Sequence, residues 1–255
     1  MLHQHVNVAE AVFVLYQGKD NSADPIGTAF AISDRLLLTA CQNVVTKSAD
    51  GESDNVTESL KVSPGLTRDN DSTIVSEERG KCVQVYQFNV AVDWACLKLD
   101  DNEMPFSAFI PLASSPHDIP PRGSTEKLYI YHCPIGLFLD DIAMETCHVM
   151  VKEASIGVIG AKTLSYQNGA FPGSCGGPYI FRNKAVALHT DSVSTTKTAQ
   201  DIKDEATSQG RKRKLPKSQA MEMVVDSCVS NHTSLGNGIV LHVRSGIMNL
   251  LHSDP

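Results

Sequence analysis

The chain has 255 residues and a mass of 27.6 kDa, with 42% hydrophobic and 20% charged residues. This composition is typical of a globular protein that can bury a substantial core. Its formal net charge of −7 argues against a broad basic surface for nucleic acid. No apolar run approaches the roughly 18 residues of a membrane span. The first fifteen residues lack the basic and apolar regions of a secretion signal, so we expect none.

Six apolar runs bounded by polar turns predict β-strands in the first half of the chain. These runs cover residues 11–16, 27–32, 35–40, 60–62, 82–92 and 95–99. Five prolines then fall between residues 100 and 122, which predicts an irregular connection rather than a helix or a strand.

The second half repeats this strand-rich pattern and adds a long polar segment. Strands are predicted at residues 128–131, 146–151, 156–164, 178–181, 185–189 and 238–243. Residues 191–231 are polar enough to predict an insertion, and residues 247–251 predict a short C-terminal helix. The chain therefore has the character of an all-β protein.

The seven cysteines indicate a reducing compartment. They are Cys41, Cys82, Cys96, Cys133, Cys147, Cys175 and Cys228. Their number is odd, and most lie in apolar strand-like runs where a thiol acts as a small hydrophobic group. We therefore expect free thiols and an intracellular location, in the cytoplasm or the nucleus. No pair of zinc-ligand spacings, phosphate-binding loop or dinucleotide motif occurs, so no metal and no cofactor are expected.

Residues 173–178, GSCGGP, carry the clearest chemical signal of the sequence. Glycines on both sides of a nucleophile let the backbone turn tightly, so that successive N–H groups converge on one oxyanion. This predicts Cys175 as a nucleophile, with the N–H groups of Gly173 and Cys175 as the oxyanion hole. The alternative is an unrelated all-β protein with a coincidental glycine-rich loop.

Two upstream segments complete a resemblance to the chymotrypsin/trypsin-like peptidase superfamily. Residues 27–32 (GTAFAI) and 36–44 (LLLTACQNV) resemble the strand pair that leads to the catalytic histidine, and residues 92–99 (VDWACLKL) resemble the strand that carries the triad aspartate. The chain order is base, acid, nucleophile, as in chymotrypsin. The resemblance spans residues 12–251.

This resemblance implies the domain organisation. Residues 1–255 would form a single peptidase-like unit of two packed six-stranded antiparallel β-barrels. The N-terminal barrel would cover residues 6–112, and the C-terminal barrel residues 123–255 with the insertion 191–231. The site would lie in the cleft between the barrels.

The base position departs from the family pattern. Counted from Thr39 and Ala40, it holds Gln42, and the acid position holds Asp93. A carboxamide could bridge Cys175 and Asp93 by hydrogen bonds, but it cannot accept a proton near neutral pH as a general base must. Asp93 could instead simply accept hydrogen bonds from neighbouring backbone. Gln42 itself could mark a natural pseudoprotease, a deliberate inactivation or a tolerated variation.

The nucleophile loop also resembles that of viral picornain-type cysteine proteases. In that group a strand histidine lies in the S1 pocket and favours glutamine before the cleaved bond, which points here to His189, with Ala170 beside it. Ala187 replaces the usual glycine, and Ala170 stands where a threonine is common. The alternative for His189 is an ordinary strand residue. Gly169, where basic-specific trypsins carry aspartate, argues against a preference for Arg or Lys.

Two functions follow as hypotheses. The first is a cysteine endopeptidase that is impaired by Gln42. The second is a non-catalytic pseudoprotease that binds a peptide or protein through the same cleft. The expected partner is a polypeptide in either case. No membrane partner is expected, and nucleic acid is not expected beyond a local contact. A basic cluster, Arg211, Lys212, Arg213 and Lys214, would be a nuclear-import signal, a local phosphate contact or a solvated loop.

Overall fold

Strands dominate the structure. The computed structural model of the chain describes residues 8–18, 24–47, 54–64, 80–121, 128–133, 150–159, 163–167, 173–194 and 232–239. Within these ranges it contains fourteen strands and three short 3-10 helices. The all-β prediction is confirmed. No helix of the described ranges is long and apolar enough to cross a membrane.

Six strands of the first half close into an antiparallel barrel. The first eight strands are β1 (Val12–Gln17), β2 (Asp24–Ala31), β3 (Leu36–Thr39), β4 (Val45–Lys47), β5 (Asp54–Val56), β6 (Leu60–Pro64), β7 (Lys81–Asn89) and β8 (Trp94–Leu99). The barrel order is β1-β2-β3-β8-β7-β6, while β4 and β5 pair with each other outside it. The sequence predicted the barrel strands and missed this outer pair, because its residues are mostly exposed and polar.

Strand β1 is apolar on both faces because each face packs against a different core. Phe13 and Leu15 lie in the core inside the first barrel. Val12 and Val14 lie in a second core, which also contains Ile180 and other residues from the second half of the chain. Since successive side chains in a strand point to opposite faces, a run such as VFVL must be buried on both.

The second half forms a sheet of six strands, again in a closed order. They are β9 (Leu128–His132), β10 (Met150–Ile159), β11 (Thr163–Gln167), β12 (Pro178–Phe181), β13 (Lys184–Ser194) and β14 (His232–Ile239). Their order is β10-β11-β14-β13-β12-β9. Its buried core includes Leu128, Ile130, Tyr179, Phe181 and Val186. The Thr28 N–H of β2 donates to the Cys175 carbonyl at 2.9 Å, and this hydrogen bond joins the two barrels.

The irregular connection between the barrels is fastened to the β12–β13 hairpin. The Ala113 N–H donates to the Ala185 carbonyl at 2.9 Å, and the Ala185 N–H donates to the Pro111 carbonyl at the same distance. Lys184 Nζ lies 2.7 Å from Asp118 Oδ1. The proline-rich connection thus follows a defined path, with one short 3-10 helix at Pro116–Asp118.

Several strand limits differ from the prediction in the second half. Where the sequence predicted strands at 146–151 and 156–164, the described strands are Met150–Ile159 and Thr163–Gln167. The last described strand is His232–Ile239, which overlaps the predicted strand 238–243 at two residues. Residues 146–149, 160–162 and 240–243 of these predictions lie outside the described residues. β13 continues to Ser194, four residues into the predicted insertion, and Ser194 pairs with His232. Polar residues form strand here because the ladder bonds come from the backbone. The predicted helix at 247–251 lies outside the described residues.

Candidate active site

The nucleophile loop is a tight turn that only glycine permits. The Gly177 N–H donates to the Ser174 carbonyl at 3.0 Å, which closes a β-turn around Cys175 and Gly176. Gly176 has φ +94°, the left-handed value that the third residue of a type II turn requires. A Cβ atom on Gly176 would lie 1.8 Å from the Thr28 carbonyl oxygen. The glycine therefore provides both the turn and the close approach of the two barrels.

Thr28 of β2 holds this turn against the first barrel. Its N–H donates to the Cys175 carbonyl at 2.9 Å, and its hydroxyl donates to the Gly173 carbonyl at 2.7 Å. The same hydroxyl accepts the Cys133 N–H at 2.9 Å. One buried side chain thus fixes the turn on both sides of the nucleophile. Sequence reasoning included Thr28 in a strand motif and assigned it no role.

Asn43 supplies a second anchor that sequence reasoning missed. Its Nδ2 donates to the Cys175 carbonyl at 2.9 Å and to Thr39 Oγ1 at 3.0 Å. A Cβ atom on Gly27 would lie 2.3 Å from that Nδ2, so Gly27 makes the space in which the amide sits. Its position directly after Gln42 was the available signal. Asn43 therefore ties the segment of the base position to the nucleophile turn.

Gln42 lies beside both predicted partners. It sits in the 3-10 turn Cys41–Asn43, and its backbone N–H donates to Asp93 Oδ1 at 2.9 Å. Its side-chain Nε2 donates to Cys175 Sγ at 3.3 Å and also to the Thr190 carbonyl. The Gln42 carboxamide thus contacts Cys175, while the described contact of Asp93 is with the Gln42 backbone N–H. This is a backbone hydrogen bond of the kind that the alternative interpretation of Asp93 allows, and its role as the acid partner stays a prediction.

Asp93 adopts a strained conformation immediately before β8. Its φ is +54°, which is uncommon for a residue other than glycine. The turn at residues 90–93 follows β7, where the sequence predicted continuous strand to residue 92. A non-glycine residue in this region costs about 1–3 kcal/mol. The conformation aims the carboxylate at the Gln42 N–H.

The described cysteines differ in burial: Cys175 and Cys82 are half-buried, whereas Cys41, Cys96 and Cys133 are buried. Cys175 is half-buried, and its Sγ lies 3.3 Å from the Thr190 carbonyl. By contrast, burial and then the charge of Asp93 raise the pKa of Cys41 to about 11, and burial raises the pKa of Cys96 to about 12. Thiols with such raised pKa values are poor nucleophiles at neutral pH.

A buried histidine, His132, contacts the residue that precedes the nucleophile. His132 Nδ1 lies 2.6 Å from Ser174 Oγ, and both residues are fully buried. His132 lies at the end of β9. Ser174 directly precedes the nucleophile, so this pair also restrains the turn.

His189 lies in the wall of the second barrel next to the nucleophile turn. Its N–H donates to the Gly177 carbonyl at 2.8 Å, and its carbonyl accepts the Gly176 N–H at 2.7 Å. The side chain is only 1% exposed, and Nδ1 lies 3.2 Å from the Tyr179 hydroxyl. Burial lowers the pKa of His189 to about 4, so the imidazole is neutral at pH 7. Tyr179 is a partner that sequence reasoning did not identify.

Several residues that the sequence analysis singled out lie outside the described residues. Ala170, Gly169 and the basic cluster at residues 211–214 fall outside the described ranges. Within those ranges, no group of three His, Cys, Asp or Glu side chains is placed to hold a metal ion.

Comparison with known proteins identifies the fold. Neither a protein-family model nor a curated protein matches the chain. Among solved structures, the MamO protease domain from Magnetospirillum magneticum has a TM-score of 0.51 at 11% identity, covering 93% of this chain and 96% of that one. A serine endoprotease from Yersinia pestis has a TM-score of 0.51 at 18% identity, covering 74% and 57%. The active form of the Rv3671c protease from M. tuberculosis has a TM-score of 0.50 at 14% identity, covering 78% and 81%.

All three neighbours are proteases, and the chain shares their fold, an all-β fold of chymotrypsin type. The resemblance seen in the sequence is thereby confirmed at the level of the fold. At such low identity the similarity carries no chemistry, so the chemistry must be argued from the residues of this chain.

Proposed function

We propose that the chain has the site of a cysteine endopeptidase, with Cys175 as nucleophile and with peptide-bond hydrolysis impaired by Gln42. The observation that carries this proposal is the position of Gln42 between Asp93 Oδ1, 2.9 Å from its N–H, and Cys175 Sγ, 3.3 Å from its Nε2. A histidine in this place would have the acid partner on one side and the nucleophile on the other. The proposed substrate is accordingly a polypeptide.

The impairment follows from the chemistry of the carboxamide. Peptide hydrolysis requires a group that removes the thiol proton and then gives a proton to the leaving amine. Gln42 can donate a hydrogen bond to sulfur, but it can perform neither transfer. General acid–base catalysis contributes roughly 10²–10⁴-fold. The chain as it stands should therefore hydrolyse peptides slowly, with the N–H groups of Gly173 and Cys175 proposed as the remaining oxyanion stabilisation.

The proposed specificity rests on His189. A neutral imidazole on the wall beside the turn can donate an N–H to a side-chain carbonyl, which favours glutamine before the cleaved bond. The Tyr179 hydroxyl engages Nδ1, so Nε2 is the nitrogen we assign to the substrate. Ala170 is proposed as its neighbour in this pocket.

The test compares three proteins on one peptide library varied at the position before the cleaved bond. They are the chain as given, Gln42→His and Cys175→Ala. We expect Gln42→His to raise kcat/KM by roughly 10²–10⁴-fold, because it restores the acid–base group. A fourth protein, the double variant Gln42→His with Cys175→Ala, serves as the control and should not cut any peptide.

The outcomes separate the proposals. Cleavage by Gln42→His that depends on Cys175 supports the peptidase site, and a preference for glutamine supports His189. If the given chain cuts as fast as Gln42→His, another group supplies the base and the assigned impairment is wrong. If Gln42→His does not cut any library member, the peptidase proposal fails.

A binding function is the second candidate, and one contact favours it. The carboxamide of Gln42 is held by both the Thr190 carbonyl and Cys175 Sγ, so the side chain is fixed without any proton transfer. Such a cleft could hold an extended peptide by backbone pairing. Retained peptide affinity in Cys175→Ala, measured by calorimetry together with absent cleavage in all three proteins, would favour this function.

A further inference from the structure

We propose that the chain as it stands accepts acyl groups from activated donors, thioesters and aryl esters, and holds them on Cys175 as a stable thioester. This inference rests on the proposed nucleophile and concerns a reaction that Gln42 still permits. It differs from peptide hydrolysis in its substrate class and in its end point.

The first step requires less of the site than peptide cleavage does. The Cys175 thiolate attacks the donor carbonyl, a bond from Sγ to the acyl carbon forms, and the bond from that carbon to the leaving sulfur or oxygen breaks. The leaving thiolate or aryloxide departs with its electron pair, and the thiol proton passes to solvent. A thiolate or an aryloxide leaves without prior protonation, whereas a peptide nitrogen needs a proton that Gln42 cannot give.

One described contact of Cys175 Sγ suits a thiolate, while the Thr190 carbonyl, 3.3 Å from Sγ, accepts a hydrogen bond from the thiol form. Gln42 Nε2 points a donor at Cys175 Sγ from 3.3 Å, and a hydrogen bond to a charged acceptor is stronger than one to a neutral group. A free thiol is already a few per cent thiolate at pH 7 and is strongly nucleophilic. The turn that carries Sγ is fixed by Thr28 and by Asn43. Attack therefore needs no base.

The second step is the one that fails. Hydrolysis of the thioester needs a water molecule that loses a proton as it attacks, and neither Gln42 nor the Thr190 carbonyl beside Sγ can accept that proton. The described contact of Asp93 Oδ1 is with the Gln42 backbone N–H. The acyl group therefore stays on Cys175 until a stronger nucleophile than water removes it.

The test uses an N-acetylated peptide as its thiobenzyl ester, its p-nitrophenyl ester and its p-nitroanilide. We expect both esters to give a burst of about one leaving group per chain and an adduct in the intact mass, while the anilide gives neither. Neutral hydroxylamine should remove the adduct, as expected for a thioester. Peptide mapping should place it on Cys175.

Matched variants make the result specific. Cys175→Ala should lose the adduct, whereas Cys82→Ala should keep it, because Cys82 lies on β7 outside the site and its pKa is raised by burial. Gln42→Ala should slow acylation roughly 10-fold or more, as expected for losing a hydrogen bond to a charged group. Gln42→His should convert the single burst into repeated turnover.

Four results would overturn the proposal. The first is an adduct that persists in Cys175→Ala, and the second is the absence of an adduct on the unmodified chain under conditions that acylate N-acetylcysteine. The third is turnover by the unmodified chain as fast as by Gln42→His. The fourth is an unchanged acylation rate in Gln42→Ala. The two proposals fail separately. If the unmodified chain forms a stable Cys175 adduct while Gln42→His cuts no peptide, this inference stands and the peptidase proposal fails.

Discussion

The nucleophile turn and the proposed base position form the two halves of the candidate site. They differ in whether their side chains can perform the chemistry that a peptidase needs at each position. The turn has its glycines, its thiol and anchors from Thr28, Asn43 and His132 by way of Ser174. The position proposed for the base has contacts to Asp93 and Cys175 but holds a carboxamide, which does not exchange a proton near neutral pH. The position of residue 42 therefore does not depend on its ability to exchange a proton, because hydrogen bonds can hold a side chain that does not titrate.

The largest effect is expected where the turn meets the first barrel. Gly176→Ala places a Cβ atom 1.8 Å from a backbone oxygen and forces φ +94° on a residue with a side chain. Strain of this kind costs about 1–3 kcal/mol, and the clash adds to it. We expect a drop of at least about 3 kcal/mol in the free energy of unfolding, measured in urea, and loss of Cys175 labelling.

Gly80→Ala is the matched control for this change. Its Cβ atom would meet mainly the Ser63 hydroxyl at 2.8 Å, and a side chain can move. We expect a loss of about 1 kcal/mol or less there. Equal losses in the two variants would mean that the close approach at Gly176 is not special.

The wall beside the turn should make stability depend on pH. The folded-state pKa of His189 is lowered to about 4 from its ordinary 6.5, so between these values the unfolded chain binds more protons than the folded one. Stability from this residue is therefore present above pH 6.5 and is lost as the pH falls toward 4, by at most about 1.4 kcal/mol per pH unit.

Urea unfolding at pH 7, 6, 5 and 4 measures this slope, and His189→Gln provides the reference. The difference between the two proteins should shrink as the pH falls. A difference that stays constant from pH 7 to pH 4 would contradict the assigned cause, the burial of a neutral imidazole.

The smallest expected effect concerns the link between the two halves. Asn43→Ala removes the amide that bonds the Cys175 carbonyl and Thr39 Oγ1. We expect a loss of about 1–3 kcal/mol in stability and slower acylation of Cys175. Asn55→Ala on the exposed strand β5 should change neither. Unchanged acylation in a folded Asn43→Ala protein would show that the turn does not need this anchor.

Local sequence was enough to predict much of the fold, but not the network around the site. The apolar runs of β1, β3 and β8 predicted strands to within a residue or two, because burial on both faces leaves a continuous signal. The contact of Gln42 with Cys175 was expected from the motif order. Thr28, Asn43 and Tyr179 were not assigned, because their contacts join segments separated in the chain and short polar side chains are common in strands.

The second half was harder for a related reason. β13 runs into polar sequence up to Ser194 and pairs there with β14, where backbone bonds rather than side chains define the strand. Hydrophobic periodicity carries no information about such a segment. The extension of β13 to Ser194 was accordingly missed, while Pro178–Phe181, whose residues are all buried, was predicted correctly.

The two-faced burial of β1 also governs how the protein can be divided. Its even-numbered residues Val12 and Val14 pack in the layer with Ile180 and Leu188, and Trp94 and Cys96 of β8 lie in the same layer. A first barrel produced alone would present this row to water, at about 25 cal/mol for each Å² uncovered. The two barrels therefore share one buried core layer. Neither barrel could be exchanged between proteins as an independent module.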